Sequence, residues 1–204
     1  MFDVLQALLW STTYVLILIS SAKGRKWGRP SIPYLALVLN FAWEVCALIH
    51  SKGLWIHVLW LTLDTGILAF GFYFLTDAKR KVIMLVKTVC MLMLVSWVFT
   101  KENGMLISVF VIDFIMAVAF LTQTKKLSPT LQLPIAITKL LGDLFAGLDN
   151  FAASPTVFVL ALATLIINLI YFYCCLRQTL KLRNSKYNYT LHQERNVHEK
   201  TQYQ

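Results

Sequence analysis

Four carboxylates, Glu44, Asp64, Asp113 and Asp143, each stand in a different long apolar stretch of this 204-residue chain. A charged side chain at the middle of a bilayer costs about 2.5–3.5 kcal/mol on insertion scales. Four of them are a heavy cost for a purely structural role, so they point to a polar site inside a membrane where protons move or a substrate is handled. Three of the acids have a chemically useful neighbour at helical spacing. Asn40 and Glu44 are i, i+4, as are Trp60 and Asp64, and Lys139 and Asp143. Gly142, Ala146 and Gly147 allow another helix to approach closely beside Asp143. Blander readings exist for two of these groups. Lys139 and Asp143 fit an internal ion pair that lowers the cost of insertion, and Asp113 fits a packing carboxyl satisfied by its neighbours. Glu44 and Asp64 are each accompanied by a tryptophan, Trp43 and Trp60, well inside its stretch rather than at its edge.

The elements that must position these groups follow from composition. The chain is 58% hydrophobic, and its mean hydropathy is +0.65. A membrane-crossing helix needs about 20 mostly apolar residues. The sequence divides into such stretches over 4–22, 31–50, 54–75, 82–100, 105–123, 131–149 and 156–177. Lys52-Gly53, Asn103-Gly104 and the Ser-Pro pairs at 128–129 and 154–155 punctuate them. The expected fold is all-α: a polytopic seven-helix transmembrane domain over 1–177, followed by a basic, polar tail over 178–204 predicted to be disordered. The first stretch has no basic segment before it, so it reads as a helix that stays in the membrane rather than a cleaved signal. At a rise of ~1.5 Å per residue, Glu44 lies about 9 Å, Asp64 about 15 Å, Asp113 about 12 Å and Asp143 about 8 Å from the outer end of its helix. Shared depth is what a common cavity requires.

A net charge of +9 suggests nucleic acid until its distribution is considered. Lys23, Arg25, Lys26 and Arg29 fall in the first loop, Lys79–Lys81 in the third, Lys125 and Lys126 in the fifth, and six more cations between Arg177 and Lys200. The loops between hold only Lys52 and Lys101. This is positive-inside patterning, which places the N-terminus outside or in a lumen and the C-terminus in the cytoplasm. The expected partner is therefore a lipid bilayer, bacterial plasma membrane or eukaryotic endomembrane, and not nucleic acid; the oligomeric state stays open. Trp27, Trp55 and Trp97 read as interfacial anchors, and Lys87 as a snorkelling side chain. Asn168 is expected to hydrogen-bond across the bundle. No cofactor or metal is expected. There is no Walker loop, no GxSxG elbow, no DDxxD motif and no zinc-spaced cysteine pair, and His50 and His57 read as interfacial polar residues.

Asn40-Phe41-Ala42-Trp43-Glu44 is an NxxWE motif. With Trp60-Leu61-Thr62-Leu63-Asp64, the segment Lys139–Ala146 and short-looped spans over residues 4–177, it resembles the integral-membrane terpene cyclases of fungal meroterpenoid and indole-diterpene pathways and their bacterial relatives. The resemblance implies metal-independent, proton-started cyclisation of a polyprenyl chain, often through a terminal epoxide. The catalytic glutamate of the NxxWE motif maps onto Glu44. That family's second acid lies late in the chain. Here the seventh stretch carries no carboxylate, Asp143 is the nearest late acid, and Asp149 stands at the exit of the sixth.

The residues suit that chemistry on their own terms. Cyclisation needs a carboxylic acid that keeps its proton at neutral pH, which withdrawal from water supplies. It proceeds through carbocations, which aromatic faces stabilise by about 0.5–2 kcal/mol. Trp43, Trp60, Phe70 and Tyr73 are candidates to line the chamber. The assignment expected is Glu44 as general acid polarised by Asn40, Asp64 as helper or final proton acceptor, and Asp143 as a third acid restrained by Lys139. Asn40, Trp43, Trp60, Asp113 and Lys139 would contact a lipophilic isoprenoid substrate. A different class, a small proton-coupled transporter, would use the same acids as a relay. The absence of an internal repeat counts against it. A third reading makes the acids interhelical glue in a non-catalytic assembly protein.

Overall fold

A computed structural model describes residues 2–23, 34–50, 54–74, 77–101, 103–123 and 129–202. They form seven helices and, among the described residues, no strand: α1 (Phe2–Lys23), α2 (Tyr34–His50), α3 (Trp55–Phe74), α4 (Ala78–Phe99), α5 (Gly104–Gln123), α6 (Pro129–Asn150) and α7 (Pro155–Gln202). Each expected stretch coincides with one of them. Arg25, Lys26, Trp27, Arg29, Lys52, Lys125 and Lys126, on which part of the orientation argument rests, lie outside the described residues.

Four helices contain stretches long and apolar enough to cross a membrane: Trp55–Tyr73, Ala78–Phe99, Gly104–Thr122 and Pro155–Arg183. Among the described residues, the apolar helices of α1 and α2 run over Val4–Ser20 and Ala36–His50, 10–17 residues each. Gln132, Lys139, Asp143 and Asp149 stand among the apolar residues of α6. Apolar side chains cover the outside of the bundle. On α4 alone, Val82, Ile83, Leu85, Val86, Val89, Met93, Leu94 and Trp97 are exposed. Outward-facing hydroxyls on these surfaces are satisfied within their own helices: Thr62 donates to the Val58 carbonyl and Thr65 to that of Leu61, both at 2.7 Å. That pattern suits a medium without water, where an unsatisfied polar group is costly.

Local chemistry explains the helix ends. Asp77 caps α4, its side chain accepting from the Lys79 amide at 2.9 Å, so the helix begins at Ala78 and takes in the basic triplet that the sequence places in a loop. Ser154 and Pro155 start α7 as cap and first residue, with the Val157 amide 3.2 Å from the Ser154 hydroxyl. α7 then runs on to Gln202, through the polar stretch that begins at residue 178. That stretch contains neither Gly nor Pro, so nothing in its backbone chemistry stops the helix. Between α4 and α5 the chain turns through Asn103, whose φ is 54°, a left-handed conformation that Asn tolerates. A Cβ on Gly104 would lie 1.9 Å from the Val98 carbonyl oxygen. Gly104→Ala is therefore expected to force this turn open and cost about 1–3 kcal/mol, read as a lower melting temperature in detergent.

The helices close into a ring in the order α1, α6, α7, α5, α4, α2, α3 and back to α1, with α2 also reaching across to α5. Small residues and polar pairs make the contacts. Gly142 of α6 lies against the Trp10 ring, where an added Cβ would come within 3.1 Å. Gly147 faces Ala161 of α7, and the Thr13 and Thr138 hydroxyls meet at 2.8 Å. α2 is the most enclosed helix: Ala36 through Asn40, Ala42 through Glu44, Cys46 and Ala47 are buried. The NxxWE segment thus lies on the helix best shielded from the surroundings.

Candidate functional site

α1, α2, α3 and α5 enclose a cavity of about 150 Å³. α1 supplies Gln6, Trp10 and Tyr14, which recur every four residues and so share a face. α2 supplies Asn40, Trp43 and Glu44, α3 supplies Trp60, and α5 supplies Val109 and Asp113. Five of the eight residues singled out in the sequence therefore line one space: Asn40, Trp43, Glu44, Trp60 and Asp113.

Glu44 is buried, and its Oε2 lies 3.1 Å from Nδ1 of His57 at the start of α3. The imidazole is held edge-on between two indoles, 5.7 Å from the Trp43 ring centre and 5.9 Å from that of Trp60. Trp43 is fixed in turn by its Nε1–H, which donates to the Ser108 hydroxyl of α5 at 3.0 Å. Trp60 is fixed by its Nε1–H donating to the Ser11 hydroxyl of α1 at 3.2 Å. Polar tips thus anchor two large aromatic bodies around the acid.

Asp64 has a different position. It is fully buried, yet it stands behind Asn40 rather than in the cavity wall. The Asn40 amide donates to Asp64 Oδ2 at 2.7 Å and to the Tyr14 hydroxyl at 2.6 Å. Asn40 therefore ties α1, α2 and α3 together, and Tyr14 is the member of this trio that, with Asn40, faces the cavity. The other Asp64 oxygen, Oδ1, has no hydrogen-bond partner among the described residues. Asp64 and Glu44 are within electrostatic reach of each other.

Asp143 and Lys139 form a separate cluster between α6 and α7. The Lys139 ammonium donates to Asp143 Oδ2 at 3.0 Å, and Asn168 of α7 donates to the same oxygen. The ammonium also lies 4.4 Å from the centre of the Trp10 ring and 5.9 Å from that of Phe120. Trp10 touches both the cavity and this ion pair. Asp113, half-buried on α5, is the link between the two groups, within electrostatic reach of Glu44, Lys139 and Asp143. Asn168 does bond across the bundle, and Lys87 is exposed on α4.

Two aromatic residues expected in the chamber are elsewhere. Phe70 and Tyr73 are exposed on the later turns of α3 and take no part in the cavity wall. About three to three and a half helical turns separate them from Trp60, too far along the axis to share its depth. Sequence reasoning missed the residues that α1 adds to the wall, Gln6, Trp10 and Tyr14; their i, i+4, i+8 spacing in an apolar stretch is the signal that could have found them. His57 had a comparable signal: with Trp60 and Asp64 it makes an i, i+3, i+7 face on α3. Read alone it looks interfacial, but the structure buries it against Glu44.

Among the described residues, no three His, Cys, Asp or Glu side chains gather as metal ligands would. What the site offers is carboxyl and imidazole proton chemistry inside an aromatic enclosure. His57→Phe is expected to lower stability by about 1–3 kcal/mol because it leaves a buried Glu44 oxygen without its partner. His57→Gln, which restores a donor, should recover part of that loss in the same thermal melt. No protein-family model, curated protein or solved structure matches the chain.

Proposed function

We propose that this protein is a multi-pass integral-membrane terpene cyclase that starts ring closure of a polyprenyl or epoxy-polyprenyl chain by protonation from Glu44. The observation that carries the reading is one small cavity in which Glu44 and Asp113 face Trp10, Trp43, Trp60 and Tyr14. The basic loops support seven spans with the N-terminus outside and the C-terminus cytoplasmic.

The chemistry divides among these residues as follows. His57 holds Glu44 Oε2, leaving Oε1 to present a proton to the cavity. Transfer of that proton to an epoxide oxygen, or to the terminal carbon–carbon double bond, breaks the C–O or π bond and leaves a tertiary cation. Successive double bonds close on it. The faces of Trp43 and Trp60 stabilise the migrating charge, and exclusion of water prevents its capture. The Trp10 face is partly committed to the Lys139 ammonium, so it contributes shape more than cation binding. Asp113 lines the same cavity and takes the final proton. Asp64 acts through Asn40 and Tyr14, as an electrostatic support rather than a group in contact with substrate. Substrate and product then have the same atoms, an isomerase-type conversion.

The test is to give purified protein in nanodiscs a series of isoprenoids and their terminal epoxides and to separate the products by mass spectrometry. A cyclic product of unchanged mass is expected. Acyclic material alone across the series rejects the proposal. A second reading, a transporter's proton relay, takes support from Asp113, which lines the cavity and lies within electrostatic reach of both Glu44 and Asp143. Solute accumulation in proteoliposomes driven by a pH gradient, without cyclic product, would favour that transporter.

A further inference from the structure

The cavity that holds Glu44 is too small for the substrate just proposed. Pockets that enclose ligands of this size run to about 300–1,000 Å³, and this one is about 150 Å³. A larger groove of about 470 Å³ lies beside it, between the first turns of α1 and α3. The two share Gln6 and Trp60 in their walls, so those side chains form the threshold between them. At that threshold the Trp60 indole is hydrogen-bonded to Ser11, which also lines the groove. His57 lines the groove as well, while its acceptor or donor Glu44 lines the cavity.

The groove differs in chemistry from the cavity. Its polar side chains, Gln6, Ser11 and His57, are few, and the rest of the wall is aliphatic or aromatic. Val4, Leu8, Trp55 and Leu59 are exposed along it, so its mouth opens sideways through apolar side chains. Such a trough accepts a hydrocarbon chain and offers nothing to a polar solute.

Resting on the cyclase reading, we infer that the α1/α3 groove is the second compartment of the substrate site. It holds the length of the isoprenoid chain while only its terminal, reacting end passes Trp60 to reach Glu44. The occupant is specifically an isoprenoid chain, because the groove adjoins the acid cavity across Gln6 and Trp60, so that the two together make one bent site. Substrate would arrive laterally, from the hydrocarbon phase, and Gln6 and Trp60 would sort the reacting end from the trailing chain.

The experiment uses the full chain in nanodiscs and a farnesyl chain carrying a diazirine at its C1 end. After illumination, adducts are expected on the Val4–Ser11 and Trp55–Trp60 segments. Unmodified farnesol should compete them away and oleate should not. Ala7→Phe, which fills the groove floor, should reduce labelling about tenfold or more. Val4→Trp at the exposed mouth, where little packing is at stake, serves the same end if Ala7→Phe does not fold. Adducts spread over the outer face of α4, or equal competition by oleate, would show an ordinary lipid-facing surface and overturn the inference. Cyclisation is scored separately. Groove labelling without cyclic product sinks the cyclase reading and leaves the binding compartment standing; cyclic product with labelling elsewhere sinks the groove alone.

Discussion

Glu44→Gln is expected to reduce cyclisation about 100- to 10,000-fold, the range over which a positioned general acid contributes. The amide has nearly the same shape as the carboxyl and still bonds to His57, so the fold and the cavity should persist. What is lost is a transferable proton. Binding of the isoprenoid, measured by the same photolabelling, should change little, and the effect should lie in turnover. Glu44→Asp makes a useful contrast. It keeps the acid but withdraws it by one methylene from both His57 and the cavity, and a displacement of that size costs a large part of a well-aligned reaction. A graded series, wild type above Asp above Gln, supports proton delivery at this position. Equal cyclic product from wild type and Glu44→Gln would remove Glu44 from the mechanism, whatever else the cavity does.

Much of this arrangement was legible before any coordinates. Asn40 and Glu44 on one face, the buried Trp43 between them and the pairing of Trp60 with Asp64 follow from helical periodicity, and the structure brings all five residues into one neighbourhood. The Lys139–Asp143 pair is local as well and forms within one helix. What periodicity does not give is rotation about each helix axis. It left undecided whether Asp64 would face the cavity or, as found, stand behind Asn40. It also gave no reason to rank α1, whose Gln6, Trp10 and Tyr14 fill the space opposite α2 only because α1 packs between α3 and α6. His57 was misjudged for the same reason. Its place near a helix start suggests an interface, but its burial is set by the Glu44 and Trp43 side chains of α2 and by Trp60.

The second large effect belongs to the ion pair between α6 and α7. Lys139 is fully buried, with its ammonium on Asp143 and over the Trp10 ring. Removing one member of a buried pair leaves an uncompensated charge and costs about 3–5 kcal/mol. Lys139→Met is therefore expected to lower the unfolding free energy by about that amount in detergent. It also withdraws the cation from Trp10, so the disturbance reaches the cavity wall. Removing both charges is a different matter, since neutral, well-packed replacements for a buried pair are often as stable as the original. In Lys139→Met combined with Asp143→Asn, the new amide still accepts from Asn168 and no charge remains. This double variant should regain more than half of the stability lost in the single one. The pair also decides between roles for Asp143. If the double variant folds and still cyclises substrate, Asp143 is an element of assembly and the final proton goes elsewhere, with Asp113 the carboxylate placed in the cavity to take it. If it folds and fails while Lys139→Met alone retains turnover, the carboxylate at 143 belongs to the reaction. A single variant as stable as the wild type would mean that Asp143 escapes the uncompensated charge, by taking up a proton in place of the lost cation or by contact with water.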